Sequence, residues 1–149
     1  MADNLFFVQT AETALLAGVA KTILQIAAPA NQKVKVLEWG VFFDGTVVTA
    51  EPCEIILVRQ TSAGTMTPAT PAKVDESNSQ AIQSGAFANA TAEPTLGDVV
   101  DLVEVHPQQG YAKIYPLGQE RVVTGGSRIG IQIKAPANVN VRPYMTCEE

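Results

Sequence analysis

Apolar and polar residues alternate in short bursts along most of the chain, and a period of two is that of a strand with one buried face. Leu24-Gln25-Ile26 leads to Val34-Lys35-Val36, and Ile131-Gln132-Ile133 leads to Val139-Asn140-Val141. The same tetrapeptide separates both pairs, as Ala28-Pro29-Ala30-Asn31 and again as Ala135-Pro136-Ala137-Asn138. Proline fixes φ and removes a backbone donor, while asparagine accepts turn geometry, so each copy predicts a β-hairpin corner. A second phrase, Thr49-Ala50-Glu51-Pro52, returns as Thr91-Ala92-Glu93-Pro94. The order of the four phrases is not the constant period of a solenoid or propeller.

Further strands are expected at Leu5 to Val8, Lys33 to Phe43, Cys53 to Arg59, Val99 to His106, Gly110 to Tyr115, Glu120 to Thr124, Arg128 to Lys134 and Val139 to Cys147. Lys33 to Phe43 carries apolar residues on both parities, which suits burial on both faces. Asp44-Gly45 reads as a type I′ hairpin turn. Ala11 to Ile26 offers apolar residues at helical spacing, yet Thr22 to Ile26 also suits a strand that stops at Pro29. Residues 61–97 are rich in Ser, Thr, Ala, Gly and Pro, and a loop of that length in a compact domain predicts a short strand or docked segment within it. The fold expected is all-β, a jelly-roll-like β-sandwich of about eight strands. Residues 1–19 form an N-terminal arm or edge segment, and residues 20–149 the sandwich domain.

Composition narrows the function classes. The chain has 149 residues, enough for one domain with a real core. Only 17% of residues are charged, so much of the surface is Ala, Ser, Thr, Gln and Asn, which suits contact with other protein. A net charge of -5 argues against a nucleic-acid partner. No apolar stretch approaches the roughly 20 residues of a membrane span, and Met1-Ala2-Asp3-Asn4 lacks the basic region of a secretory signal, so assembly in a cytoplasm is expected. Cys53 and Cys147 are far apart and fit buried apolar positions better than a disulfide or zinc site.

Residues that could carry chemistry are few. His106 is the single histidine, whereas a metal inside a β-barrel enzyme needs several. Nothing in the sequence places Ser127 or Cys53 beside it as a nucleophile with its base. Gly125-Gly126-Ser127-Arg128 lacks the Gly-Lys-Ser/Thr of a phosphate loop and reads as a hairpin turn. Glu93, Asp98, Asp101 and Glu104 are the densest carboxylates; calcium would want more oxygen ligands, and a solvated strand edge is the simpler reading. No cofactor, metal or catalytic activity is expected. Trp39, Phe42, Phe43, Tyr111, Tyr115 and Tyr144 read mostly as core, with capping an interface by their hydroxyls as the alternative for Tyr111 and Tyr115.

The stretch from Ala20 to Glu149 carries Ala28-Pro29-Ala30-Asn31, Val36-Leu37-Glu38-Trp39-Gly40, Val105-His106-Pro107-Gln108, Pro116-Leu117-Gly118-Gln119-Glu120 and Val141-Arg142-Pro143-Tyr144-Met145. It resembles small β-rich structural proteins of tailed bacteriophages, most nearly the capsid decoration, or cement, proteins. The resemblance implies a structural virion protein on the capsid surface, commonly a homotrimer bridging capsomers, with the major capsid protein as partner. Linked weak contacts would hold such a trimer in place by avidity. Leu5, Phe6 and Phe7 are the expected capsid contact, unless this segment pairs as an edge strand of its own body. A carbohydrate-binding jelly roll and a head-tail connector or tail component are the rival readings.

Overall fold

The computed structural model describes residues 4–44 and 51–149. Among the described residues the chain forms thirteen strands and no helix. They are β1 (Leu5–Gln9), β2 (Thr13–Leu15), β3 (Ala20–Ala27), β4 (Val34–Asp44), β5 (Cys53–Gln60), β6 (Thr65–Ala69), β7 (Ala72–Lys73), β8 (Gly85–Ala92), β9 (Leu96–Val105), β10 (Tyr111–Ile114), β11 (Arg121–Val123), β12 (Arg128–Lys134) and β13 (Val139–Glu148). Two antiparallel sheets pack into a β-sandwich. Sheet A runs β10-β4-β13-β1-β7, with β11 also on β4 and β2 also on β13; sheet B runs β6-β8-β3-β12-β5-β9.

Among the described residues, no two strands adjacent in sequence pair with each other. This corrects the expected hairpins. Both Ala-Pro-Ala-Asn corners carry the chain from sheet B to sheet A, the first from β3 to β4 and the second from β12 to β13. Gly125-Gly126-Ser127 likewise leads from β11 in sheet A to β12 in sheet B. β4 and β5 lie in different sheets, so Asp44 does not open a two-residue hairpin; Gly45, Thr49 and Ala50 lie outside the described residues.

The repeated corners mark an internal twofold relation. β3 pairs with β12 and β4 with β13, while β1 and β2 pair with β13 as β10 and β11 pair with β4. Each corner is braced by a glycine turn: Gly126 N donates to Ala28 O at 3.2 Å, and Gly18 N to Ala135 O at 2.8 Å. Both glycines have positive φ, +80° and +73°, where a side chain would strain the backbone.

Residues 11–26 resolve as strands β2 and β3, not a helix. The segment read as an N-terminal arm or edge is, over its described part, woven into sheet A between β13 and β7. Phe6 and Val8 from it reach the core, which also takes Trp39, Ile55, Leu57, Ile129, Ile131 and Met145. The long central stretch holds β6, β7 and β8, and both cysteines are buried free thiols whose pKa burial raises.

Candidate functional site

The two outer faces of the sandwich differ. On sheet B, β5 and β8 flank the central β3-β12 pair, so the links from β5 to β6 (residues 61–64) and from β8 to β9 (residues 93–95) cross the sheet in opposite directions. They run side by side, with Thr61 N donating to Thr95 O at 2.9 Å and Thr95 N to Ser62 Oγ at 2.8 Å. Beneath them Thr22, Gln25 and Gln60 are buried. Glu93 accepts from Thr22 N at 2.8 Å and from Thr22 Oγ1 at 2.6 Å. A carboxylate only accepts, so Thr22 Oγ1 receives Gln60 Nε2 at 3.1 Å, and Gln60 Oε1 receives Gln25 Nε2 at 2.6 Å. The Gln60 amide lies over Gly130, where a Cβ would come within 2.7 Å of its oxygen.

Sheet A is open by contrast. Alternation turns Phe7 and Gln9 of β1, Arg142 and Tyr144 of β13, and Glu38, Gly40 and Phe42 of β4 outward. The Tyr144 ring lies over its register partner Gly40, where a Cβ would come within 2.4 Å of Cε1. Phe7 and Phe42 flank that ring at centroid distances of 5.7 and 5.9 Å, offset-stacked as aromatic quadrupoles prefer. Tyr144 Oη donates to Glu38 Oε1 at 2.8 Å; burial, then that bond, pushes its pKa up to about 12. Arg142 donates to Thr10 O at 3.0 Å and to Gln9 Oε1 at 2.8 Å. Phe7, Gln9, Phe42, Arg142, Pro143 and Tyr144 line a shallow depression of about 330 Å³. Aromatic rings on a rigid sheet with hydrogen-bonding groups at the margin make a surface suited to adhesion.

The residues singled out from the sequence divide. Phe7 is on this face, 37% exposed, and Leu5 is half-buried at the same strand. Phe6 is in the core. Tyr111 is half-buried and packs on Trp39 at 5.4 Å. Tyr115 is buried, and its hydroxyl accepts from Trp39 Nε1 at 2.9 Å and donates to Asp101 Oδ2. Tyr115 therefore does not present its hydroxyl to solvent; it clasps sheet A to β9 of sheet B. Lys113 Nζ lies 2.9 Å from Asp101, and the Arg121 guanidinium lies 4.5 Å from the Tyr115 ring centre. Burial alone would raise the Asp101 pKa, but the Tyr115 and Lys113 bonds outweigh it and hold it below the usual carboxylate value. Burial and Asp101 push the Tyr115 phenol up.

The carboxylates read as a solvated edge are not one group. Glu93 anchors a strap and Asp101 the clasp, while Glu104 faces Glu54 across the β5-β9 ladder. Among the described residues no three His, Cys, Asp or Glu side chains gather where a metal would bind. His106 opens the turn after β9, its carbonyl accepting from Gln109 N at 3.0 Å. Sequence reasoning missed Tyr144 and Phe42 as surface residues; the signal was Gly40, a strand glycine that makes room for a neighbouring ring. The chain matches no family model, no curated protein and no solved structure.

Proposed function

We propose that the chain is a structural virion protein, a jelly-roll-like decoration protein that binds the outside of an icosahedral phage capsid and stabilises the shell. The major capsid protein is its partner, and a trimer bridging capsomers is its working form, assembled in the host cytoplasm. The observation that carries the reading is the open aromatic face of sheet A, where Phe7, Tyr144 and Phe42 are braced by strands and presented to solvent together. Aromatic anchors of this kind dominate protein interfaces, and a surface with few charges loses little hydration on contact.

Deleting the first strand is not a clean test, since it strips Phe6 and Val8 from the core. Phe7→Ser with Phe42→Ser changes the face alone. Co-sedimentation with capsids of the source phage should show saturable binding by the wild type and at least about tenfold weaker binding by the double variant, the loss expected of two anchors. No binding by the wild type, or equal binding by both, overturns the reading. The same rings, flanked by Gln9 and Arg142, also suit a sugar; saturable glycan-array binding lost in the double variant would favour that rival.

A further inference from the structure

We propose that the outer edge of β10 is a self-association site, pairing antiparallel with β10 of a second copy across a twofold axis. Tyr115 N donates to Leu37 O at 2.9 Å, so Tyr111, Lys113 and Tyr115 turn their backbone groups toward β4. Ala112 and Ile114 turn theirs outward, and these find no partner among the described residues.

The other edges are blunted. On β9, Arg121 Nε donates to Val100 O at 2.9 Å and Leu102 N to Asp101 Oδ1 at 3.0 Å, so side chains occupy its ladder groups. β6 contains Pro68, and β7 is two residues long with a lysine. Proline, charge and shortness are ways in which proteins protect a sheet edge. β10, four residues long, has neither proline nor charge at its outward positions Ala112 and Ile114. Instead Ile114 is 72% exposed and Leu117, just beyond, 97%.

The β10 edge is complementary to itself. In a twofold pair centred on Lys113, Ala112 and Ile114 of the second copy exchange both N–H···O bonds, and the symmetric pair does the same. Each such pair sets a small side chain beside a large one on the outer face of sheet A. Two lysines meet at the axis, where like charges facing each other would repel. Here each Lys113 is held by its own Asp101 at 2.9 Å, so the axis carries two ion pairs. In a threefold assembly this contact would join one trimer to the next, and it stands whether or not the capsid reading does.

Sedimentation velocity of the full chain, from micromolar to millimolar, tests the site with two variants. Ala112→Pro removes an outward donor while leaving the bonds to β4, a position where an edge strand accepts proline. Ile114→Lys places a charge in the contact and covers the case in which the proline variant fails to fold. The wild type should self-associate, and each folded variant should weaken its Kd by about tenfold or more, equivalent to about 1.4 kcal/mol. A wild type that stays monomeric throughout, an assembly whose Kd neither variant changes, or protection of the Ala112 and Ile114 amides from exchange only when capsids are added would overturn self-pairing.

Discussion

The two outer faces of this sandwich are built from the same kind of strand yet end differently. Sheet B hides its outward polar side chains beneath two crossing straps, so Gln25 and Gln60 are buried and bonded to each other. Sheet A leaves its outward residues uncovered and fills the gap over Gly40 with the Tyr144 ring. The first face gives rigidity, because a buried amide that loses its partner costs more than an exposed one. The second leaves apolar area for contact. The difference teaches that exposure in this fold is set by what crosses a sheet, since polarity alone would have put Gln25 in water and Phe42 in the core.

The sharpest test pairs two glutamines. Gln60→Leu leaves the buried Gln25 amide only a long 3.4 Å contact to Ser62 O and should cost about 3 kcal/mol, the upper end of the roughly 1 to 3 for a buried group that loses its partner. Gln9→Leu on the open face should stay within about 0.5 kcal/mol. Equal costs in chemical denaturation would erase the distinction between the faces. Next in size, Glu93→Ala removes the acceptor that ties a strap to β3 and should cost about 2 kcal/mol, as bonds to charged groups do. It should also speed amide exchange at Thr22 and Gln25; unaltered exchange would mean that the straps do not close the face. The smallest effect lies on the open face at high pH. The Tyr144 pKa is raised in the fold, so its contribution to stability is complete below about 10, the usual phenol value, and is lost as pH climbs toward about 12. Ultraviolet titration should show this ionisation late, and Tyr144→Phe should remove that part of the alkaline loss. A phenol titrating near 10 would place Tyr144 in open water.

Strand positions were legible because alternation survives in short windows. Arg128 to Lys134 was expected as a strand, and β12 spans the same residues. Pairing was not legible. Ala-Pro-Ala-Asn reports that the chain must turn, but turn chemistry is indifferent to whether the next strand returns to the same sheet or crosses to the other. The strand count was low because β2 and β7 are three and two residues long, too short for a period to appear. The open face was hidden by a bulge. The register of β4 with β13 shifts between Val36 and Glu38, so Val34 and Val36 point inward, then Trp39 and Val41 do, and Phe42 is left outside. Apolar residues on both parities of β4 therefore meant a change of phase and not burial on both sides. In β1 four apolar residues in a row masked which of Phe6 and Phe7 faces out.

The absence of any pairing between neighbouring strands has a consequence for how the chain comes into being. Leu5 aligns with Glu148, and Phe6 with Cys147, so β1 completes its pairing only after β13, far later in the chain, is available. Until then Phe6 and Val8 are carried naked by a nascent polypeptide that has almost nothing local to collapse onto. Closure must be late and concerted, of the kind that topology makes slow. A ribosome producing many copies at once would surround itself with sticky unfinished chains, so holding factors in the host should govern the yield more than the strength of the finished fold does.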